Sequence, residues 1–86
     1  MRRLLYFGAS NCPPCRFFWQ NYVKPRIADV YTEQVDFVVD SYGVAKRYNI
    51  TKTPTMVLLE DEKEVRRFIG CSERYIDEII SFLENE

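Results

Sequence analysis

The stretch Ser10-Asn11-Cys12-Pro13-Pro14-Cys15-Arg16 separates a short apolar run, Leu4 to Phe7, from a long amphipathic segment that begins at Cys15. The apolar run predicts a central strand that is covered on both faces. The amphipathic segment predicts a helix, and Pro13 suits its first position because proline has no N–H to lose there. A strand therefore delivers a Cys-x-x-Cys pair to the first turn of a helix.

This placement favours redox chemistry of the two thiols. The positive end of a helix dipole and its unpaired N–H groups stabilise a thiolate and lower the thiol pKa. Cys12, at the helix mouth, is predicted to be the activated sulfur, and Cys15, one turn in, to be more buried and less acidic. A Cys-x-x-Cys pair that opens a helix after a strand is typical of a dithiol redox site.

Two structural alternatives are less favoured. Half of a zinc site needs further ligands, and the chain has no histidine and only one other cysteine, Cys71. No metal site is therefore expected. A purely structural disulfide across so small a loop would restrict the unfolded chain very little.

Length and composition predict one domain, residues 1–86. We expect it to need no cofactor. Six Tyr, six Phe and one Trp supply enough apolar area for a core. The formal charge of −1, from 12 basic and 13 acidic residues, gives no electrostatic reason to bind nucleic acid or an anionic membrane. We expect a monomer that binds neither.

The N-terminus, Met1-Arg2-Arg3 and an apolar run of about five residues, is too short to predict a signal peptide. The sequence also has no stretch long and apolar enough to predict a transmembrane helix. We therefore expect a cytoplasmic protein, where cysteine pairs are more often catalytic than structural. The unpaired Cys71 fits that setting.

The hydrophobic pattern predicts the element order βαβαββα. After the first strand, apolar residues recur at helical spacing and predict a helix with one buried face: Phe18, Trp19, Tyr22, Val23, Ile27 and Val30. Pro25 interrupts this pattern and should kink or split the helix. Val35 to Val39 predicts a second strand, parallel to the first because a helix connects them. Asp40-Ser41 is predicted to cap a short helix through Val44, Ala45 and Tyr48.

The C-terminal part predicts a hairpin and a helix. Thr55 to Leu59 and Glu64 to Ile69 are two strands joined by Glu60 to Lys63, which lacks the glycine that such turns prefer. Ser72 is a good N-cap for a last helix, whose apolar stripe is Ile76, Ile79, Ile80 and Leu83.

Three landmarks make the chain resemble the thioredoxin superfamily, and thioredoxin more than glutaredoxin. They are Cys12-Pro13-Pro14-Cys15 after a strand, Thr53-Pro54-Thr55 before the next apolar run, and Gly70 between the final strand and the last helix. The resemblance implies an α/β thioredoxin-like fold, in a minimal βαβαββα form with a central mixed four-stranded sheet. Compared with thioredoxin, the chain begins at the strand before the Cys motif, so its size and element order are glutaredoxin-like.

The resemblance implies a two-step exchange that reduces protein disulfides. Cys12 attacks the substrate disulfide, and Cys15 then resolves the mixed disulfide and leaves a Cys12–Cys15 bond that a thioredoxin-reductase-like donor must reduce. The Thr53–Pro54 bond is expected to be cis, with the Thr53 backbone pairing with substrate, although only about 5% of X-Pro bonds in folded proteins are cis. Asn11, Pro13, Pro14 and Gly70 complete the expected substrate-binding surface.

Three residues depart from the thioredoxin pattern. Asn11 stands where thioredoxins usually have tryptophan, which puts substrate preference in doubt. Tyr6 stands where thioredoxin has a buried aspartate that helps to deprotonate the second cysteine, a task for which a tyrosine of ordinary pKa is poorly suited. Asp36 lies on the neighbouring strand and either points under the active site or, as we expect, faces solvent, since buried carboxylates are rare.

Two other functions remain open at this stage. A glutathione-dependent glutaredoxin is one, although Gly70-Cys71-Ser72-Glu73 lacks the second glycine of the glutathione-binding Gly-Gly pair. A non-catalytic interaction module is the other, with a docking face on Phe17, Phe18, Trp19 and Tyr22.

Cys71 is expected on the active-site side of the molecule, because it follows Gly70. Near the N-terminus of the last helix, its thiolate could be favoured by the dipole. We nevertheless predict a buried, inert residue, since Ile69 and Cys71 share a strand face if the alternation continues.

Overall fold

The computed structural model describes residues 1–40 and 43–85. Its strands are β1 (Arg2–Gly8), β2 (Thr32–Asp36), β3 (Thr55–Glu60) and β4 (Lys63–Ile69). Its α-helices are α1 (Pro13–Phe18), α2 (Val44–Arg47) and α3 (Glu73–Glu84). A π-helical turn, Trp19–Val23, continues α1, and a 3-10 turn, Asp29–Tyr31, precedes β2. The predicted element order is confirmed.

The strands form one mixed sheet in the order β2-β1-β3-β4. β2 runs parallel to β1, as predicted, whereas β3 is antiparallel to both β1 and β4. β1 is thus a central strand, which explains its continuous apolar sequence. The predicted mixed four-stranded sheet is confirmed.

Successive residues of β1 serve two separate cores. Leu4 and Tyr6 face a cluster that also takes in side chains from α1 and α3, whereas Leu5 and Phe7 face a cluster that includes Ala45 of α2. This two-sided burial fixes β1, and with it the position at which the chain leaves the sheet toward Cys12.

The predicted interruption at Pro25 is confirmed. The helical segment ends at Val23, with Lys24 as its C-cap, because proline cannot continue the backbone hydrogen bonds of a helix. The prediction that Val30 lies on the buried helix face is wrong, since Val30 lies in the 3-10 turn and is 74% exposed.

The second strand lies earlier in the chain than its apolar run suggested. β2 ends at Asp36, so the prediction of a strand over Val35 to Val39 is wrong. The Asp36 carboxylate accepts hydrogen bonds from the backbone N–H groups of Ser10 and Val38, which turns the chain away from the sheet. The apolar residues that follow Asp36 are exposed.

The ends of the remaining elements are set by local contacts. Asp40 accepts a hydrogen bond from the N–H of Ala45, although the N-cap position of α2 is held by Gly43 at φ 69°. Ser41, the other predicted cap, lies outside the described residues. The hairpin turn forms without glycine. Asp61 and Glu62 adopt the positive φ values, 52° and 69°, that glycine usually supplies in such turns.

The last helix begins where it was predicted. Ser72 occupies the N-cap position of α3, but its side chain makes no capping hydrogen bond. Ile76, Ile79 and Leu83 are buried and Ile80 is partly buried against the core. Within residues 1–40 and 43–85, no helix is long and apolar enough to cross a membrane.

Candidate active site

The two cysteines of the motif form a disulfide bond at the start of α1. Cys12 is the N-cap residue, and the Cα atoms of Cys12 and Cys15 are 5.3 Å apart. Pro13 and Pro14 fill the first two helical positions, where no intrahelical N–H partner is lost. The backbone N–H of Cys15 donates to Sγ of Cys12 at 3.3 Å. This donor and the helix end would stabilise a Cys12 thiolate after reduction.

The two sulfurs differ in exposure. Cys12 is half-buried at the surface, whereas Cys15 is only 2% exposed. This difference follows from position, because Cys15 lies one residue beyond two prolines on the face of α1 that packs on the sheet. The arrangement has the asymmetry expected for an attacking and a resolving thiol, and those roles stay predictions.

Two further landmarks, Pro54 and Gly70, are joined by a hydrogen bond, and Cys71, which follows Gly70, lies next to the Cys motif. The Thr53–Pro54 peptide bond is cis, as predicted. Gly70, at φ 95°, donates its N–H to the carbonyl oxygen of Pro54 at 2.9 Å. The next residue, Cys71, has its Sγ 3.9 Å from the carbonyl oxygen of Pro14. The substrate-binding role of the Thr53 backbone stays a prediction.

Cys71 is exposed, so the prediction of a buried residue is wrong. The alternation of β4 stops at Ile69, which is itself half exposed, and Gly70 then turns the chain away from the strand. Desolvation raises the pKa of the Cys71 thiol above its ordinary value. Cys71 borders a shallow groove of about 290 Å³ that Pro14, Phe17 and Tyr22 also line.

Tyr6 is tied to the helix that carries the cysteines. Its hydroxyl donates to the carbonyl oxygen of Cys15 at 2.7 Å, and its ring lies 5.0 Å from that of Trp19. Burial, with a smaller effect from the Cys71 charge, raises the pKa of the Tyr6 hydroxyl far above neutrality. The expectation that Tyr6 is a poor proton acceptor is thus strengthened.

Gly8 allows β1 and α1 to approach closely. A Cβ atom at Gly8 would lie 3.3 Å from Cε1 of Tyr6 and 3.4 Å from Cβ of Cys15. This contact was missed at the sequence level, although a glycine that ends a buried strand is a signal of close approach.

Asp36 is partly exposed, and the hydrogen bonds that its carboxylate accepts from the N–H groups of Ser10 and Val38 lie at the surface. The residue also lines a cavity of about 320 Å³ together with Tyr6, Cys15 and Arg16.

The remaining residues predicted to contact a substrate or a partner differ in exposure. Asn11, Pro13 and Pro14 are exposed beside the disulfide. Of the proposed aromatic docking face, only Phe17 is strongly exposed, at 61%. Phe18 is buried, and Trp19 and Tyr22 pack partly against the core. Among the residues that the structure describes, no group of three His, Cys, Asp or Glu side chains could hold a metal ion.

Comparisons with known proteins agree with this geometry. The family model for thioredoxin matches residues 2–85. Thioredoxin H2 of Arabidopsis thaliana is 39% identical over 84 residues, which cover 90% of this chain and 59% of the plant protein. A prophage-derived thioredoxin-like protein of Bacillus subtilis is 32% identical over 82 residues, which cover 94% of this chain and 98% of that protein.

A solved structure gives the same result. The X-ray structure of Fasciola hepatica thioredoxin superposes with a TM-score of 0.81 at 31% identity and covers 94% of this chain and 79% of that one. The chain spans only about three fifths of the length of Thioredoxin H2 and Thioredoxin H5 of Arabidopsis thaliana, at 59% and 62%.

Proposed function

Because the chain belongs to the thioredoxin family, we propose that it is a thiol–disulfide oxidoreductase that reduces disulfide bonds in proteins. The observation that carries this proposal is the Cys12–Cys15 disulfide at the start of α1, with one sulfur at the surface and the other buried. A purely structural disulfide across three residues would add little stability.

The reaction consists of two exchanges. The Cys12 thiolate attacks one sulfur of the substrate disulfide, a Cys12–substrate bond forms, and the other substrate sulfur leaves as a thiolate. Cys15 then attacks Sγ of Cys12, which forms the Cys12–Cys15 bond and releases the second substrate thiolate. Two electrons pass from the dithiol to the substrate, and the structure corresponds to the oxidised protein.

The substrate is proposed to bind around Cys12, the more accessible of the two cysteines. Asn11, Pro13 and Pro14 are exposed next to Cys12 and would contact the substrate chain. The backbone of Thr53, before the cis Pro54, would pair with an extended substrate segment, and Gly70 would border it. Main-chain pairing of this kind favours disulfides in flexible or partly unfolded proteins over small disulfides.

A thioredoxin-reductase-like enzyme is the proposed electron donor, and the cytoplasm is the proposed location, because thiols are kept reduced there. We propose a monomer that requires no cofactor of its own. Glutathione is the less favoured reductant, because the segment after β4 has one glycine, Gly70, rather than a pair.

Insulin reduction tests this function. The protein should accelerate the precipitation of insulin chains when thioredoxin reductase and NADPH supply electrons, and should do so much less with glutathione and glutathione reductase. Cys12→Ser should abolish the activity, whereas Cys71→Ser, which keeps the Cys12–Cys15 pair, is the matched control. Equal rates for Cys12→Ser and the unchanged protein would support the interaction-module alternative instead.

A further inference from the structure

The buried position of Cys15 creates a requirement for a proton acceptor, if the proposed function holds. Cys15 must lose its proton before it attacks Sγ of Cys12. Its side chain is only 2% exposed, and burial disfavours a charged thiolate. A group inside the protein that accepts the proton would therefore accelerate this second exchange.

The cavity beside Cys15 contains the candidates. It has a volume of about 320 Å³, which exceeds the ~30 Å³ that one water molecule occupies in the liquid. The charged or titratable side chains that line it, besides Cys15, are Tyr6 on β1, Arg16 on α1 and Asp36 on β2.

Two of these three side chains are unsuited to accept a proton. The Tyr6 hydroxyl is already a donor to the Cys15 carbonyl oxygen, and burial raises its pKa far above neutrality. Arg16 is a permanent cation without an acceptor lone pair. Asp36 remains, and its Oδ1 accepts from the N–H groups of Ser10 and Val38, while Oδ2 has no hydrogen-bond donor among the described residues.

The sheet register directs Asp36 toward Cys15. Asp36 is paired with Gly8 across β1 and β2, and paired residues project from the same face of a sheet. The face of Gly8 is the one on which a Cβ would lie 3.4 Å from Cβ of Cys15. Since Gly8 has no side chain, no side chain at that position separates the Asp36 carboxylate from Cys15.

We propose that Asp36 accepts the proton of Cys15 during the second exchange, through water in the cavity. The Cys15 S–H bond breaks and its proton passes to the carboxylate. The Cys15 thiolate then forms a bond to Sγ of Cys12, the Cys12–substrate bond breaks, and the substrate thiolate leaves with the electron pair. Asp36 afterwards returns the proton to solvent or to the leaving thiolate, so that no further oxidant or reductant is needed.

Stopped-flow kinetics with the aromatic disulfide dithiobis(nitrobenzoate) separates the two exchanges. Attack by Cys12 releases one coloured thiolate in a second-order phase, and attack by Cys15 releases another in a first-order phase. All proteins carry Cys71→Ser, because the exposed Cys71 would also react. Asp36→Asn retains an oxygen for the Ser10 and Val38 N–H groups but removes the proton acceptor. Glu33→Gln, an equal charge change on the same strand outside the cavity, is the matched control.

The proposal predicts that Asp36→Asn slows the first-order phase about 10²-fold and leaves the second-order phase unchanged. The slowed phase should rise in proportion to hydroxide concentration, whereas that of the unchanged protein should be nearly flat around neutral pH. Asp36→Glu should restore part of the rate. Equal loss in both phases, or no loss in the first-order phase, would overturn the role of Asp36.

The unchanged protein supplies a test that needs no Asp36 variant. If its first-order phase rose in proportion to hydroxide across the acidic and neutral range, no carboxylate would be accepting the proton. If it showed no release by Cys12 at all, the proposed oxidoreductase function itself would be contradicted.

Discussion

Replacement of Tyr6 by phenylalanine tests how the cysteine helix is held on the sheet. The change deletes only the hydroxyl that donates to the Cys15 carbonyl oxygen at 2.7 Å, and it keeps the ring that packs against Trp19. The carbonyl retains a second donor, the backbone N–H of Trp19, so it is not left unsatisfied. We therefore expect the loss of one net hydrogen bond, about 1 kcal/mol of unfolding free energy, rather than the ~3 kcal/mol of an orphaned buried group.

Urea unfolding of the oxidised protein measures this difference. A loss of about 1 kcal/mol corresponds to a fall of about 4–8 °C in Tm for a domain of this size. Tyr22→Phe is the control, because Tyr22 is half-buried and its hydroxyl makes no hydrogen bond within the described part of the chain. An equal stability change in the two variants would refute the role of the Tyr6 hydroxyl. A loss near 3 kcal/mol in Tyr6→Phe would instead refute the claim that the Trp19 N–H still satisfies the Cys15 carbonyl oxygen.

Three further outcomes are expected. Gly8→Ala should cost about 1–3 kcal/mol in unfolding free energy because its Cβ would lie 3.3 Å from the Tyr6 ring, and a neutral change in a urea titration would argue against this contact. The Arg67 guanidinium donates hydrogen bonds to the Glu64 carboxylate and lowers its pKa. The pair therefore stabilises the folded state at pH values above the ordinary Glu pKa, and this contribution is lost as pH falls through the lowered pKa. Glu64→Gln should therefore cost about 0.2–1 kcal/mol at neutral pH and nothing in strong acid, and a constant cost across pH would contradict the pairing. Cys71 should react with iodoacetamide in the native protein slowly at neutral pH and faster in alkali, since desolvation raises its thiol pKa, and a fully protected Cys71 would contradict its exposure.

Patterns confined to one element predicted most of the fold. The apolar run of β1 and the stripe of α3 each indicate burial of one face or both faces of a single element, and both elements formed as predicted. The helical spacing after Cys15 also predicted a helix, although that helix does not reach Val30. The position of the Cys motif at the start of a helix could be predicted as well, because it depends only on the strand and helix patterns directly next to it in the sequence. The order of the elements along the chain then restricted the sheet to few arrangements.

The errors arose where contacts distant in sequence decide the outcome. β2 ends at Asp36 because its carboxylate binds the N–H of Ser10, a residue 26 positions away, although the apolar run continues to Val39. The expected burial of Cys71 assumed that the face it shares with Ile69 is covered, but Ile69 is itself 50% exposed. Which face of β4 is covered depends on how the sheet packs, which the pattern of the strand alone does not specify. The cavity that joins Asp36 to Cys15 depends on the register of β1 and β2, which no pattern within either strand specifies.

Trapping of the mixed disulfide tests the central claim, that Cys12 attacks and Cys15 resolves. Reduced Cys15→Ser and Cys12→Ser variants, both also carrying Cys71→Ser, are mixed with a disulfide-containing protein such as insulin and then analysed by mass spectrometry. The account predicts that Cys15→Ser accumulates a covalent adduct through Cys12 and that Cys12→Ser forms almost none, since Cys15 is buried. An adduct that forms as readily through Cys15 would reverse the two roles, and the absence of adducts in both variants would contradict the disulfide exchange itself.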